Sequence, residues 1–486
     1  MEIIDNKKFI LEKTKNGTKH IHFLGLGGIG MSGLAKFALN LGFRVSGSDI
    51  KDSPQLLSIT ELGGIVFIGH EAGNVGNAGL LVVSTAINED NPEIVEAGKR
   101  NIPIIHRSQL LEALMSGLGL DESEKQITIG VSGTHGKTST TGMIGLIFEH
   151  AKLNPSIVVG GKLPELMTNA KFGCGKHFIA ELDESDGSIA IYKPEYTVIT
   201  NIEKDHVDHY EDGLNQLIDT FKGYISRLHP DSKVVICADD EGNKRLLKEI
   251  DHKNVILYSV NHESELFNSA KYTVKNLSMV GFSSSADVYK DNELLGTLKL
   301  RVPGMHNISN ALASVVIAIE CGLSFESATS SLEKFTGMKR RFQLFDTVKE
   351  IQIVDDYAHH PTEIRATLKS ARNIVNAGLA NRVVSIFQPH RYSRLAGLWD
   401  EFKNCFSDTD VLYITDVYSA GEKPVAGFTA QKLCEDIMKK PCIYAGGSLE
   451  NIAEKTAPDL KAGDIVLTIG AGTITKLGNL LIEKLS

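Results

Sequence analysis

Lysine and threonine placed directly after closely spaced glycines are the means by which a chain grips a triphosphate. They occur here in Val131-Ser-Gly-Thr-His-Gly-Lys-Thr-Ser139. Gly133 and Gly136 let backbone N–H groups approach phosphate oxygens, and Thr134, His135 and Ser139 complete the loop. Lys137 would reach the β- and γ-phosphates, and the Thr138 hydroxyl would sit on Mg²⁺. The usual spelling puts glycine five residues before Gly136, where this chain has Val131. Its glycines stand instead at Gly130, Gly133 and Gly136. The competing reading is a glycine-rich turn without a ligand. It leaves Gly-Lys-Thr between a strand and a helix unexplained.

Acids follow at the ends of two later apolar runs. Glu181, Asp183, Glu184 and Asp186 close the first, and Asp205-His206 follows the second. Acids at strand ends beside a phosphate loop are where Mg²⁺ is usually held. Glu181 and His206 are therefore read as metal ligands together with Thr138, although any one acid here could equally be a solvated loop charge. Farther on, Asn307 and Asn310 are three apart and share a helical face. An asparagine amide can pair with the N6/N7 edge of adenine, and His306 could border the base. An Asn/Ser-rich helix cap is the alternative.

A second glycine turn lies upstream. Gly25, Gly27 and Gly30 fit G-x-G-x-x-G, with Gly28 and Ile29 between them, and Asp49 ends the next strand about twenty residues on. Physically this is an anion site at a helix N-terminus with an acid beside it. NAD satisfies that demand, and so does a nucleotide-diphosphate sugar. Ser84, His106 and Arg107 fall at later strand ends of the same region, where ligands bind in such sheets. Near the other end of the chain, His359, His360, His390, Arg391 and Arg394 make a cationic edge suited to carboxylates and phosphates. Adjacent histidines point in different directions, and no third ligand has zinc spacing.

The elements that must position these groups alternate strand, turn and helix. The 486 residues suggest about three domains, with boundaries read at 20–124, 125–335 and 336–486. The expected fold class is α/β in three domains. These are a Rossmann-like N-terminal sheet, a central P-loop ATPase-type α/β domain with an added antiparallel sheet over residues 255–302, and a Rossmann-like C-terminal domain. Residues 1–19 read as a short polar lead. Net charge of −9 argues against nucleic-acid or membrane-surface binding. No apolar run approaches the roughly 20 residues of a membrane span. Six scattered cysteines without a C-x-x-C pair read as reduced cytosolic thiols.

Taken in order, the motifs resemble the Mur ligase family over nearly the whole chain. They are Leu24-Gly-Leu-Gly-Gly-Ile-Gly-Met-Ser-Gly33, Gly133-Thr-His-Gly-Lys-Thr-Ser139, Glu181-Leu-Asp-Glu-Ser-Asp-Gly187 and Asp205-His206. His306-Asn-Ile-Ser-Asn310, Lys339-Arg-Arg-Phe-Gln343, Asp355-Asp-Tyr-Ala-His-His-Pro-Thr-Glu363, Gln388-Pro-His-Arg-Tyr-Ser-Arg394 and Tyr418-Ser-Ala-Gly-Glu422 follow. The phosphate-loop spelling is the family's own. The resemblance implies a cytoplasmic bacterial enzyme of peptidoglycan synthesis, a monomer or weak homodimer, using ATP and Mg²⁺. Its substrates would be UDP-N-acetylmuramate and L-alanine. ATP would phosphorylate the lactyl carboxylate, and the amine would displace phosphate from the acyl phosphate.

The same resemblance assigns the residues. Lys137, Glu181, His206 and Arg394 would be catalytic, with Thr138, Glu181 and His206 on metal. Gly133 to Ser139, His306, Asn307, Asn310, Arg341 and Asp356 would hold ATP. Gly27, Gly28, Ile29, Gly30, Asp49, Ser84, His106 and Arg107 would hold the UDP-sugar. Tyr357, His390, Arg391 and Arg394 would face the amino acid. Some family members carry a carbamoylated lysine about fifteen residues after the metal histidine. Here that offset falls on Phe221, beside Lys222. Three rivals remain: a recycling ligase that attaches a murein tripeptide to the same sugar, an NAD-dependent dehydrogenase, and a non-catalytic nucleotide switch.

Overall fold

The computed structural model describes residues 5–14, 19–121, 124–166, 168–205, 209–210, 212–437 and 441–486. Three sheets follow one another along the chain. The first contains β1 (His20–Leu24), β2 (Arg44–Asp49), β3 (Ile65–Ile68), β4 (Leu80–Val83) and β5 (Ile104–His106), in the order β3-β2-β1-β4-β5. Every pairing in it is parallel. All five residues of β1 are buried, as expected of a strand covered by helices on both faces. The strand order reverses between β1 and β4, and the glycine turn of residues 25–28 leaves β1 there. That crevice is where open α/β sheets bind ligands.

The second sheet has ten strands. They are β6 (Ile127–Ser132), β7 (Ser156–Leu163), β8 (Thr168–Lys171), β9 (His177–Glu181), β10 (Tyr196–Ile199), β11 (Lys233–Cys237), β12 (Val255–Ser259), β13 (Tyr272–Val280), β14 (Ser283–Lys290) and β15 (Glu293–Leu300). Their order is β15-β14-β13-β12-β11-β10-β6-β9-β7-β8. Strand β6, which feeds the Lys137 loop, lies between β9 and β10, the two strands that end in acids and in Thr200-Asn201. The antiparallel strands expected as an addition are continuous with the parallel part. Strand β13 pairs parallel with β12 through Tyr258 and Tyr272, both fully buried.

The third sheet contains β16 (Gln343–Val348), β17 (Ile351–Asp356), β18 (Arg382–Phe387), β19 (Val411–Ile414), β20 (Cys442–Tyr444) and β21 (Asp464–Ile469), in the order β16-β17-β21-β18-β19-β20. Among the described residues of this sheet only the β16–β17 pair is antiparallel. The segment read as a short polar lead holds a helix, Asn6–Thr14. Its Ile10 is fully buried, and Asn6 donates to Glu112 Oε2 at 2.8 Å. Among the described residues no helix is long and apolar enough to cross a membrane.

Candidate active site

The loop after β6 has its shape because glycine stands where nothing else fits. Gly133 and Gly136 take φ of +126° and +83°, values that strain any residue with a Cβ. A Cβ at Gly133 would lie 2.2 Å from Thr200 Oγ1, and one at Gly136 would lie 2.6 Å from Asn310 Oδ1. The neighbours then fix the backbone. Thr200 donates to the His135 carbonyl at 2.6 Å, and the His135 N–H donates to Asn201 Oδ1 at 2.8 Å. The N–H of Glu203 donates to Thr134 Oγ1 at 2.9 Å.

Lys137 opens the helix Lys137–His150. Its ammonium donates to Gly133 O at 2.6 Å, Thr134 O at 3.2 Å and Glu184 Oε1 at 2.8 Å. Burial works against this charge, but Glu184, Asp183 and Glu181 outweigh it and hold the lysine above its ordinary pKa. Thr138 Oγ1 donates to Glu181 Oε1 at 3.1 Å, and the Gly160 N–H donates to Glu181 Oε2 at 2.6 Å. Burial raises the Glu181 carboxyl, and Lys137 only partly opposes it. A hydroxyl and a carboxylate under-supplied with positive charge suit a hard divalent cation. His206, the expected third metal ligand, lies outside the described residues.

Three cavities run into one another around this centre. One of about 560 Å³ is lined by Gly25, Gly28, Gly30, Asp49, Ser84 and Arg107, among others. Through Gly160, Glu181 and Asp183 it adjoins a cavity of about 790 Å³, which Thr134, Lys137, Thr138 and Tyr357 also line. That cavity shares His135, Gly136, Thr138, Arg341 and Glu363 with a third, of about 170 Å³. Ser139, His306, Asn307, Asn310 and Asp356 lie on the third. Ile29 faces the second cavity rather than the first. His106 caps the helix Arg107–Met115 and lies 3.6 Å from Asp186.

Several expected ligand-binding side chains are engaged with protein. Asp49 accepts from the Gly27 N–H at 2.9 Å. Arg107 pairs with Asp183 at 2.5 Å, so the first and second sheets' regions are joined beside the cavity they share. Asn307 donates to Pro303 O at 2.7 Å. Asp356 accepts from the N–H groups of Phe342 and Ala358, and burial pushes its carboxyl up to about 6 against the pull of Arg341. Arg394 pairs with Asp205 at 3.2 Å, both largely buried. His390 stacks on Tyr418, and Arg391 lies 3.8 Å from Glu422. Phe221 is fully buried in the core, while Lys222 makes an exposed pair with Glu249.

The residues the sequence reading passed over are those that hold the loop. Glu184 was one of four acids with nothing to single it out. Thr200, Asn201, Glu203 and Glu363 were unassigned. Glu363 is the third helical residue of Pro361–Asn376 and completes a capping box with His360. Its Oε1 lies 3.3 Å from His135 Nδ1 and 3.2 Å from Arg341. The box was readable in His360-Pro-Thr-Glu363, but its reach to His135 was not. Burial would raise the Glu363 carboxyl, yet His359, His135 and Arg341 hold it well below the usual range. His360 comes within 4.8 Å of His135 and Glu203, a set of three ligand-type groups. His360 Nε2 already lies 3.1 Å from Lys204 O, and Thr362 donates to Glu203 at 2.5 Å.

A phosphate loop whose lysine is backed by a buried acid, set between cavities of about 790 and 170 Å³ and closed by a third α/β region, defines an ATP-dependent ligase of the Mur type. The chain belongs to the Mur ligase family. Residues 20–118 match the family's catalytic domain, 131–318 the Mur ligase middle domain and 340–472 the Mur ligase glutamate ligase domain. The chain is 40% identical over 471 residues to the UDP-N-acetylmuramate–L-alanine ligase of Trichlorobacter lovleyi, covering 96% of this chain and 98% of that one. It is 41% identical over 470 residues to the ligase of the same name from Pelotomaculum thermopropionicum, with the same coverage. The crystal structure of the UDP-N-acetylmuramate–alanine ligase of Thermotoga maritima is similar, with a TM-score of 0.79 and 28% identity, covering 96% of this chain and 98% of that one. The murein peptide ligase of Psychrobacter arcticus shares the fold, with a TM-score of 0.68 and 23% identity over 96% of this chain and 98% of that one.

Proposed function

We propose that this protein joins L-alanine to the lactyl carboxylate of UDP-N-acetylmuramate, using ATP and releasing ADP and phosphate. One observation carries the reading: Glu181 and Asp183 line both the glycine-turn cavity and the cavity that holds Lys137. A nucleotide-sugar seated on residues 25–30 would thus extend toward the phosphate loop. The division of labour follows residues 20–124 for the sugar nucleotide, 125–335 for ATP and 336–486 for the amino acid.

The chemistry needs an activated acid, because a carboxylate does not expel oxide. Phosphorylation supplies a leaving group, and both the phosphoryl transfer and the amine attack then need positive charge and close positioning. Lys137, clamped by Gly133 O and Glu184, presents its ammonium to the terminal phosphates. Gly136 brings the backbone against the nucleotide, and Arg341 and Asp356 close its other side. Mg²⁺ held by Thr138 and Glu181 would add positive charge at the transferring phosphoryl group. Tyr357, His390, Arg391 and Arg394 stand on the amino-acid side, where release of Arg394 from Asp205 would free a guanidinium for a carboxylate. Water must be kept from the acyl phosphate, and the contacts of His360, Thr362 and Glu363 across the ATP side contribute to that.

The test is phosphate release with ATP, Mg²⁺ and UDP-N-acetylmuramate, comparing L-alanine, L-serine, glycine and a murein tripeptide. Release dependent on L-alanine supports the proposal. Release with the tripeptide alone would make this a recycling ligase, and release without any amine would make it a nucleotide switch.

A further inference from the structure

A buried polar cluster lies beneath the first sheet, centred on Glu93. This residue is in the first turn of the helix Pro92–Lys99, which Asn91 caps. Neither Glu93 nor His22 has any exposed surface. Glu93 Oε2 accepts from His22 Nε2 at 2.9 Å and from Ser48 Oγ at 2.8 Å. Oε1 accepts from Asn74 Nδ2 at 2.9 Å and from the Glu71 N–H at 3.2 Å. A carboxylate is an acceptor only, with about four lone-pair positions, and four donors occupy them. Burial would raise this carboxyl, but His22, Asn74 and Ser48 hold it below its ordinary range.

The saturated acid dictates the next bond outward. Ser48 has a single O–H, and it is committed to Glu93. Ser48 Oγ also lies 2.9 Å from His70 Nδ1, so His70 must donate there. In the neutral ring the other nitrogen, Nε2, then carries a lone pair. His70 lines the 560 Å³ cavity with Gly25, Asp49 and Ser84. Its Nε2 makes no hydrogen bond to any described residue. An acceptor of fixed sense therefore stands on the wall of the nucleotide-sugar cavity.

We propose that Glu93 is a positioning residue for the nucleotide base: through Ser48 it sets His70 as a hydrogen-bond acceptor, which selects a base offering a ring N–H. Uracil offers one at N3, whereas cytosine has a lone pair there. The proposal rests on the nucleotide-sugar reading of the cavity. Sites built to hydrogen-bond a group discriminate against analogues that lack it, because their own polar atoms are left unpaired.

Calorimetry of the full-length protein with UDP, CDP and ATP tests this. The unaltered chain should bind UDP at least about tenfold more tightly than CDP, the worth of one well-placed hydrogen bond. Glu93→Gln puts an N–H opposite one of the cluster's donors, so Ser48 can turn its proton toward His70. Ser48→Ala removes the hydroxyl that links them and leaves His70 Nδ1 only its 3.6 Å approach to Glu93 Oε1, too long for a hydrogen bond. Both should bring the UDP and CDP affinities within about threefold of each other, with ATP affinity unchanged as the measure of an intact fold. A UDP preference that survives in Ser48→Ala, or a loss of UDP and CDP in equal proportion, overturns the proposal. Failure of the unaltered chain to bind either UDP or UDP-N-acetylmuramate overturns the cavity reading, and the proposal with it.

Discussion

Lys137 Nζ lies 2.8 Å from Glu184 Oε1, and the Glu184 side chain has no exposed surface. The lysine is thus tethered from behind by an acid and from the side by two carbonyls. Its charge is maintained at a fixed place before any nucleotide arrives, so little reorganisation is needed when phosphoryl charge develops.

Lys137→Ala should abolish phosphate release, by roughly three orders of magnitude or more, while UDP-N-acetylmuramate still binds. Single-turnover phosphate release and calorimetry measure the two separately. Loss of sugar-nucleotide binding in this variant would show that the two cavities are not independent sites.

Glu184→Gln keeps the shape but removes the charge behind the lysine. Turnover should fall about ten- to a hundredfold. Glu184→Ala should additionally cost about 3 kcal/mol of stability, because the largely buried ammonium loses its ion-pair partner. Urea unfolding reads the second effect, and equal stability of the two variants would contradict it.

Gly136→Ala forces a Cβ into a left-handed turn and against Asn310. It should weaken ATP binding by about tenfold or more, equivalent to the 1–3 kcal/mol of such strain. Calorimetry with ATP measures the loss, and an affinity within about threefold of the unaltered chain would show that the turn tolerates a Cβ there.

Asp356 provides a pH test. Burial moves its carboxyl from 3.8 to about 6 in the folded state. The folded chain therefore keeps this proton after the unfolded chain has lost it, and ionisation disfavours the fold. The penalty is absent below the unfolded value and fully present above the folded one. Between about pH 4 and pH 7 the protein should lose up to about 3 kcal/mol relative to Asp356→Asn. Urea midpoints of both chains across that range check it, and a pH-independent difference would mean the carboxyl is already ionised at pH 4.

The glycine turns, the strands that feed them and the three-part α/β plan were legible because they follow local rules: β-branched runs, glycine where φ is positive, helices opened by proline or a cap. Strands β7, β8, β16 and β20 were not. Strand β7 contains the pair Gly160-Gly161, residues that weaken a strand signal, and glycine is needed there because Glu181 and the Thr138 methyl press against it, 2.7 and 2.8 Å from where Cβ atoms would be. Strand β16 is a partly exposed edge with weak alternation. The site followed the same division. Lys137 and Glu181 announce themselves by type and spacing. The pairing of Arg394 with Asp205 joins residues 189 apart in the chain, and the choice of Glu184 among four neighbouring acids depends on which of them the fold buries.

The partners of the phosphate loop all come later in the chain. Glu184 follows Lys137 by 47 residues, and Asn201 follows His135 by 66. During synthesis the glycine-rich stretch therefore emerges well before anything that can hold it, and β6 emerges before either of its neighbours. A nascent chain halted at residue 175 carries the complete nucleotide-gripping motif but has no means of keeping its shape. Competence to bind ATP should be absent before the chain has passed Asn201 and complete only after Asn310, Arg341 and Asp356 have emerged, so a series of stalled translation products would acquire it in steps rather than in proportion to length.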